Sequence, residues 1–362
     1  VAMTYEIPYA EISKKDAYRE YLKLKGMKHT DILVDGEWFA REGTEYTYTL
    51  NLEGKQQYIS RLNAGNNSSN YFQQKNRWSV DGTVSPGPLR TWENEKFMYT
   101  LLGSLFSLKV PKVNKSILRT SISLRKYICS QFKPNVAKAI YDRYKCKNVL
   151  DFSAGWGDRL AGFYCGETTE SYVGIDPNLD NHPNYQRQVE FYEKQRTFFE
   201  KEKKVELKPL PAEDVDFTEY KEHFDTVFTS PPYFNTEKYS EHDTQSFRRY
   251  SEIDSWNKDF LHKALGNIIP AMKTGGILAV NIADVYCAKK KGYLDICNPM
   301  NDFIKSQGLK YRGCIGMEMT KRFNSAGAGK AASDYFSDDF QDKALETKND
   351  AFGEPIWIWE KK

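Results

Sequence analysis

The stretch Asn148-Val-Leu-Asp-Phe-Ser-Ala-Gly-Trp-Gly157 decides the fold class of this chain. Its first five residues form a short apolar run that predicts a buried β-strand, and a turn containing two glycines leads into a predicted helix. Glycine at such a turn lets the backbone pass close to a ligand, because a side chain would clash there. A second predicted strand, Tyr172–Ile175, ends in Asp176. In open α/β sheets an acid at this point typically binds the ribose hydroxyls of a nucleoside cofactor.

Around this stretch, short apolar runs alternate with helical segments from about residue 116 to about residue 320, which predicts a parallel α/β sheet. The further predicted strands are Val205–Pro209, Thr226–Thr229, Ile277–Ile282, Cys314–Met319 and Pro355–Trp359. The last two are expected to pair as an antiparallel hairpin across a long loop at 321–353. The Trp256–Met272 segment is predicted as an amphipathic helix that stops at Thr274-Gly275-Gly276.

Residues 1–115 are predicted to form an extension of mixed α/β or helical structure, and residues 116–362 the main domain. The extension contains a helix-like piece, Lys14–Leu24, and a polar, aromatic segment, Asn63–Trp92, that is expected to be rich in turns. We interpret the extension as a candidate substrate-recognition module. The alternative is an arm that packs against the main domain.

The composition is that of a folded protein without membrane spans. Of the 362 residues, 40% are hydrophobic, 28% charged and 14% aromatic, and the net charge is +3. The six cysteines are scattered without zinc-ligand spacing, so neither a disulfide framework nor a metal site is expected. No apolar run approaches ~20 residues and no signal-peptide pattern is present, which predicts an intracellular protein, cytoplasmic or nuclear. The mild basic bias is compatible with a polyanion partner if the charge clusters, and basic runs occur at Lys201–Lys204 and Lys289–Lys291. The alternative for each run is a solvated face, which is favoured for Lys201–Lys204.

The second informative stretch is Asp225-Thr-Val-Phe-Thr-Ser-Pro-Pro-Tyr-Phe234. Two consecutive prolines after a strand lock φ and remove two N–H donors, so the carbonyls around them lack sheet partners. Such a rigid turn can direct the hydroxyl of Ser230 and the carbonyl of Pro231 toward one acceptor site. Tyr233 presents a flat aromatic face beside them.

Together these two stretches resemble the motifs of class I S-adenosylmethionine-dependent DNA amino-methyltransferases, over roughly residues 116–320. The DxSAGxGD pattern is similar to motif I, and the Ser-Pro-Pro-Tyr stretch is similar to the (D/N/S)PP(Y/F/W) motif IV. Their order is that of the gamma type. The pattern lacks the third glycine of the dinucleotide-binding GxGxxG, so NAD is not expected.

The resemblance implies a Rossmann-like α/β fold with a mostly parallel seven-stranded sheet, and S-adenosylmethionine as the cofactor. The implied cofactor-binding residues are Asp151, Ser153, Ala154, Gly155, Gly157, Asp176, Glu213 (followed by Asp214), Phe132 and Pro134, the last two in a segment similar to motif X. The implied catalytic residues are Ser230, Pro231, Pro232 and Tyr233. No metal is implied.

The chemistry of amine methylation explains why these residue types suit the implied reaction. The exocyclic amine of cytosine or adenine is a poor nucleophile, because its lone pair is delocalised into the ring. Hydrogen bonds from the amine to Ser230 and to the Pro231 carbonyl would favour a tetrahedral nitrogen and an in-line attack on a sulfonium methyl. A base in a duplex would first be flipped out and stacked on Tyr233. The serine form of motif IV is commonest among N4-cytosine enzymes, so cytosine is slightly favoured over N6-adenine.

Polar and aromatic residues elsewhere are candidates for contact with the predicted partner, DNA. They are Phe234, Arg248 and Arg249 after motif IV, and Asn70, Arg77 and Trp78 in the extension. A plain surface loop remains the alternative for the two arginines. The Asn324–Lys330 segment resembles a phosphate loop superficially, but it lacks the first glycine and is interpreted as a mobile loop.

Two other functions stay open at this point. One is the same chemistry on RNA or on a protein amide, since related Pro-Pro-Tyr motifs serve those substrates. The other is a catalytically silent protein that uses the fold only to bind nucleic acid or a partner. Intact Asp151, Gly155, Gly157 and Asp176 argue against the silent protein.

Overall fold

The computed structural model describes residues 6–82, 85–107, 112–126, 128–236, 238–319 and 351–362. Its strands are β1 (Leu33–Asp35), β2 (Trp38–Phe39), β3 (Gln57–Ile59), β4 (Asn148–Asp151), β5 (Ser171–Ile175), β6 (Lys204–Lys208), β7 (Phe224–Thr229), β8 (Met272–Asn281), β9 (Val285–Cys287), β10 (Gly292–Leu294), β11 (Lys310–Glu318) and β12 (Ala351–Glu360). Its α-helices are α1 (Lys14–Gly26), α2 (Asn66–Ser79), α3 (Pro88–Glu93), α4 (Glu95–Ser107), α5 (Lys115–Arg125), α6 (Pro134–Arg143), α7 (Asp158–Cys165), α8 (His182–Glu193), α9 (Ser246–Arg249), α10 (Ile253–Ser255), α11 (Lys263–Ile268) and α12 (Cys297–Ser306).

Seven strands form the sheet that the resemblance predicted, in the order β11-β12-β8-β7-β4-β5-β6. Neighbouring strands from β8 to β6 pair in parallel, whereas β12 is antiparallel to both β8 and β11. This is the class I methyltransferase arrangement with its C-terminal antiparallel pair, so the predicted fold class is confirmed. Because β4, β5, β7 and β8 run in the same direction, the loops that follow them meet at one edge of the sheet.

Both faces of the central strands β7 and β8 are buried. Successive residues of a strand belong to different hydrophobic clusters: Val227 and Leu278 pack on one side, and Phe228 and Ala279 pack on the other. Side chains of a strand alternate between faces, and strands covered on both sides are therefore continuously apolar. Burial on both sides explains why the sequences of these strands are continuous apolar runs.

Residues before 116 share the sheet with the rest of the chain. Strand β3 pairs in parallel with β11, β1 pairs with β3, and β2 pairs with β12, which brings the sheet to ten strands within the described residues. Trp38 of β2 is buried against Gly316 and Gly353, where any Cβ would overlap the indole ring.

The Asn63–Trp92 segment was expected to be rich in turns, and this expectation is wrong. The structure contains α2 and α3 there. Helix α2 begins after Gly65 at φ +85° and buries Phe72 and Trp78. Asparagine and serine have weak helix propensity, but tertiary packing of one face outweighs propensity over 14 residues.

The expected helix stop at Thr274-Gly275-Gly276 is also wrong. The helical segment passes through a π-helical stretch, Trp256–His262, and α11, and it ends with the 3₁₀ turn Ile269–Ala271. The glycine pair lies inside β8, at the register shift opposite β7, and Gly275 has φ +76°. A β-bulge and a helix C-terminus both use glycine at positive φ, so the local sequence does not separate them.

The remaining sequence expectations have clear outcomes. Strands lie at each predicted position, and β11 with β12 forms the expected antiparallel pair. All six cysteines are free. No helix among the described residues is long and apolar enough to cross a bilayer. The Asn324–Lys330 segment and most of the predicted loop at 321–353 lie outside the described residues, and β12 already begins at Ala351.

Candidate active site

A cavity opens at the edge of the sheet where the loops after β4, β5 and β7 meet. Nine of the predicted cofactor and catalytic residues border it: Phe132, Ser153, Ala154, Gly155, Asp176, Glu213, Ser230, Pro232 and Tyr233. Four predicted cofactor and catalytic residues do not border the cavity: Pro134, Asp151, Gly157 and Pro231. The predicted substrate-contact residues do not border it either: Phe234, Arg248, Arg249, Asn70, Arg77 and Trp78. The fold therefore joins the two motifs, which are about seventy residues apart in sequence, around one space.

The glycine turn after β4 is held in a backbone conformation that favours glycine. Gly155 has φ +59° and Gly157 has φ +71°. A Cβ on Gly157 would overlap the side-chain amide of Gln188. The carbonyl of Gly155 accepts a hydrogen bond of 3.0 Å from Nδ2 of Asn181. The turn is thus fixed against the segment that follows β5.

Asp176 connects this turn to β5. Its Oδ2 accepts a hydrogen bond from the backbone N–H of Gly155 at 2.7 Å, and its Oδ1 accepts one from the N–H of Asn178 at 2.8 Å. Burial raises the pKa of the carboxyl to about 7, although these two backbone donors oppose the rise. Each carboxylate oxygen has a further lone pair, so the side chain can still accept from hydroxyl groups in the cavity.

Asp151 lies behind the turn rather than beside the cavity. Its carboxylate accepts hydrogen bonds from Arg159 at 2.8 Å, from the Tyr172 hydroxyl at 2.7 Å and from Thr229 at 3.1 Å. These partners come from α7, β5 and β7, so Asp151 ties the ends of the strands together. These contacts explain why an acid stands at this position of the motif, since Asp151 positions the strand ends relative to one another. A direct cofactor contact of Asp151 stays a prediction.

Asp158, the last residue of the motif I pattern, borders the cavity and was not among the predicted site residues. The side chain is buried, and its Oδ1 accepts from Nε2 of Gln131 at 2.9 Å and from the Ser69 hydroxyl. Its Oδ2 has no hydrogen-bond partner among the described residues. Burial raises the pKa of Asp158 to about 6. A buried carboxylate oxygen without a donor can bind a cationic group that enters the cavity.

The Ser-Pro-Pro-Tyr turn contributes two oriented hydroxyls. The Ser230 hydroxyl donates to Oδ1 of Asn281 over 3.2 Å, and the Tyr233 hydroxyl donates to Oε2 of Glu354 over 3.0 Å. Asn281 and Glu354 also border the cavity. Sequence reasoning missed both, because they come from the ends of β8 and β12 and carry no motif of their own.

Phe234 is buried away from the cavity. Its φ is +49°, and its ring packs edge-on against Trp256 at 5.9 Å. The left-handed backbone turns the chain away after the two prolines. A substrate contact of Phe234 stays a prediction, and the packing explains the residue.

The segment 238–250 forms part of the cavity wall through Tyr239, Thr244, Gln245 and Ser246. The ring of Tyr239 lies 6.1 Å from that of Trp156 in the glycine turn, and the Tyr239 carbonyl accepts from Nδ2 of Asn178 at 3.2 Å. At the other end, Arg249 forms ion pairs with Glu213 at 2.6 Å and with Asp214 at 2.7 Å. Burial raises the pKa of Glu213. The segment is thereby joined to the loops after β4, β5 and β6.

Both predicted phosphate-binding arginines are engaged with acids. Arg248 pairs with Glu241 at 2.8 Å and with Asp243 at 3.0 Å, and Arg249 has the two partners named above. Phosphate would have to compete with these carboxylates. Binding of phosphate by Arg248 and Arg249 stays a prediction that the geometry does not favour.

The predicted recognition residues of the extension lie within α2. Nη1 of Arg77 donates to Oδ1 of Asn70 at 2.9 Å and to Oε1 of Gln131 at 3.0 Å. Trp78 is buried against the ring of Tyr9, with centroids 5.2 Å apart. Because Gln131 also binds Asp158, Arg77 supports the cavity wall from behind. These contacts fit the packing-arm alternative, while base recognition by the three residues stays a prediction.

The chain is similar to known methyltransferases in sequence over its C-terminal part. Residues 224–360 match the family model described as DNA methylase. This range includes the Ser-Pro-Pro-Tyr turn, Asn281 and Glu354. The predicted resemblance to DNA amino-methyltransferases is therefore confirmed for this part. None of the curated proteins compared with the chain matches it.

Several solved structures match the chain at low identity and low TM-score. The N-methyltransferase NodS from Bradyrhizobium japonicum WM9 is 8% identical, covers 62% of this chain and 93% of its own, and has a TM-score of 0.37. The StiE O-MT domain is 13% identical over 63% of this chain and 72% of its own, with a TM-score of 0.38. The [4+2]-cyclase SpnF is 13% identical over 73% and 93%, also at 0.38.

Proposed function

We propose that this protein transfers a methyl group from S-adenosylmethionine to the exocyclic amine of a base in DNA. The observation that carries the proposal is that Ser230 and Tyr233 border the same cavity as the glycine turn and Asp176. Direct methyl transfer needs the amine and the cofactor to be bound side by side. One cavity that is bordered by both turns provides this, and proximity supplies a large part of the rate enhancement of such a reaction.

The residues present fit the proposed cofactor. Asp176 has spare acceptor capacity at the end of β5, where ribose hydroxyls are expected. The α-ammonium of the methionine part would find in Asp158 a carboxylate oxygen that has no hydrogen-bond donor among the described residues. Gly155 leaves room beside the cavity, since a Cβ there would have no atom of another residue closer than 3.7 Å. When bound, S-adenosylmethionine supplies an electrophilic methyl carbon on a sulfonium centre.

Ser230 is suited to accept a hydrogen bond from an amine. Its proton is directed to Oδ1 of Asn281, and Nδ2 of Asn281 donates to the Pro355 carbonyl at 3.1 Å. The lone pairs of the hydroxyl therefore stay available for an incoming N–H. An acceptor that favours a tetrahedral amine contributes more in the transition state than before it, and one such preorganised bond is worth about 2.7–4 kcal/mol.

We further propose that the base is stacked on Tyr233 after leaving the helix. The hydrogen bond to Glu354 fixes the tyrosine ring beside the cavity. Stacking of one base on an aromatic side chain contributes about 1–3 kcal/mol, which offsets part of the few kcal/mol needed to unstack it. The serine at the first motif position favours N4-cytosine slightly over N6-adenine.

The deciding experiment is mass spectrometry of nucleosides from duplex DNA after incubation with the enzyme and methyl-labelled cofactor. A labelled N4-methylcytosine or N6-methyladenine supports the proposal and names the base. Ser230→Ala should remove most of the label. The matched control is Ser306→Ala, an exposed serine of α12, which should leave the label unchanged.

Total RNA and a glutamine-containing protein pool serve as competing substrates in the same assay. Label in either of them and none in DNA would refute the DNA target while keeping the chemistry. Bound cofactor without label in any pool would instead favour the silent protein.

A further inference from the structure

A lysine-rich hairpin follows the active-site strand β8. Asn281, the last residue of β8, borders the cavity, and the hairpin Val285–Leu294 begins four residues later. Its strands β9 and β10 pair with Tyr286 opposite Tyr293 and Cys287 opposite Gly292. The tip is Ala288-Lys-Lys-Lys291. We call Val285–Leu294 the lysine hairpin.

The tip carries three exposed positive charges. Lys289, Lys290 and Lys291 are all exposed, and among the described residues none of them forms an ion pair. The arginines of segment 238–250, by contrast, are each held by two carboxylates. The hairpin therefore presents positive charge that a polyanion can reach without displacing an internal partner.

The body of the hairpin is anchored to the protein. The Tyr293 hydroxyl donates to the Glu42 carbonyl at 2.9 Å, and the rings of Tyr293 and Tyr286 lie 5.5 Å apart. At its base, Asp284 accepts hydrogen bonds from the N–H groups of Ile296 and Cys297, both at 2.9 Å. The tip, with its three exposed lysines, is thus held at a defined place relative to β8.

We propose that the lysine hairpin binds the phosphodiester backbone of the nucleic acid next to the target base. This inference rests on the proposed function and goes beyond it by assigning the charge contact to a specific element. Eight residues separate Lys289 from Asn281, which limits the distance between them to about 29 Å. One turn of duplex DNA measures about 34 Å, so the tip can reach phosphates within a turn of a base held in the cavity.

Lysine suits this task because its ammonium is a mobile point charge that contacts phosphates without selecting a sequence. The exposed ring of Tyr286 lies on the same hairpin and can cover sugar or base surface. The hairpin then supplies affinity and register, while the cavity acts on the base.

The test compares two triple variants. Lys289→Gln with Lys290→Gln and Lys291→Gly removes the tip charge, and the glycine suits position 291 because Lys291 has φ +50°. The control changes three exposed lysines near the starts of β6 and β7, at the opposite edge of the sheet: Lys201→Gln, Lys204→Gln and Lys221→Gln. Both variants lose the same net charge.

The measurement is the affinity for a duplex of random sequence as a function of salt. Each lost phosphate contact should lower the slope of log K against log salt by about 0.9, so the hairpin variant should lose up to about 2.7. The control variant should keep the wild-type slope. Both should bind S-adenosylhomocysteine like the wild type, which shows that the fold and cofactor site are intact.

Other outcomes overturn the inference in distinguishable ways. An unchanged slope in the hairpin variant, or an equal loss in the control, would place the contact elsewhere while leaving the proposed function standing. A wild-type protein that binds no nucleic acid even at low salt would refute both. In that case, an acidic protein captured by the wild type and not by the hairpin variant would identify a different occupant.

Discussion

Oγ of Ser230 lies 3.2 Å from Oδ1 of Asn281, and it donates its proton there. Nδ2 of Asn281 is in turn fixed by the carbonyl of Pro355 at 3.1 Å. The two residues end neighbouring parallel strands, and Pro355 belongs to the antiparallel strand beyond them. Three strands of the sheet thus set the direction in which the proposed catalytic hydroxyl accepts a hydrogen bond.

Asn281→Ala should lower kcat and leave cofactor affinity unchanged, because the Ser230 hydroxyl would lose its fixed orientation. The expected loss is about 2- to 13-fold, which corresponds to the about 0.5–1.5 kcal/mol of one neutral hydrogen bond. Asn281→Asp keeps an acceptor for Ser230 but loses the donor to Pro355, so it should retain more kcat than the alanine variant at a comparable loss of Tm. Equal loss of kcat in both variants, in proportion to Tm, would mean that Asn281 acts through stability alone.

Two substitutions of Tyr233 distinguish the contribution of its aromatic ring from that of its hydroxyl group. Tyr233→Ala should reduce turnover about 100-fold, since the stacking face disappears, while the dissociation constant for S-adenosylhomocysteine stays near the wild-type value. Tyr233→Phe keeps the face and loses the 3.0 Å hydrogen bond to Glu354, so a reduction of a few-fold is expected. Steady-state kinetics with calorimetry check both. A parallel loss of cofactor binding in the alanine variant would assign Tyr233 a structural role.

Cofactor affinity should depend on pH through Asp176. Burial raises its pKa to about 7, and only the ionised carboxylate can accept from both ribose hydroxyls. Binding therefore lowers this pKa, so affinity should rise as pH increases toward 7 and become constant above it. Methylthioadenosine is the suitable ligand, because it carries the ribose and no amino-acid charge. Asp176→Asn should bind more weakly and lose this dependence; a variant that keeps the wild-type profile would show that another group titrates.

Asp158→Asn should weaken S-adenosylhomocysteine about 10- to 100-fold and leave methylthioadenosine nearly unaffected. The reason is that only the first ligand has an ammonium group for the unpaired Oδ2, and hydrogen bonds to charged groups contribute about 1.5–3 kcal/mol. Calorimetry with both ligands measures the difference. Asp176→Asn serves as the contrast, since it should weaken both ligands. A uniform loss in the Asp158 variant would argue for a distorted turn instead.

The sequence allowed the prediction of those site residues that immediately follow a strand. Asp176 and Ser230 come directly after buried strands and Gly155 lies in the turn that follows another, and parallel strands bring such positions to one edge. The strand positions and the antiparallel pair of β11 and β12 were predictable for the same reason, because burial on both faces leaves a continuous apolar signal.

Other predicted contact residues have packing partners that the sequence does not reveal, because these partners come from distant parts of the chain. Arg77 and Trp78 have the composition of a nucleic-acid contact, yet α2 turns them toward Gln131 and Tyr9. Arg249 lies in the segment 238–250 after motif IV, where it is a candidate for phosphate contact, and the structure pairs it with Glu213 and Asp214. A local sequence pattern shows which chemical groups a side chain carries, but it does not show which residues that side chain contacts in the fold.

The sequence by itself determined the order of strands and turns, and with it the place of the two motifs, since backbone chemistry at glycine and proline is local. Only the tertiary structure decided which groups complete the cavity. Asn281, Glu354 and the free oxygen of Asp158 acquire their roles from strand register and from burial against Gln131 and Ser69. Hydrogen-bond geometry and desolvation depend on atoms that are far apart along the chain, so a local stretch of sequence does not predict them.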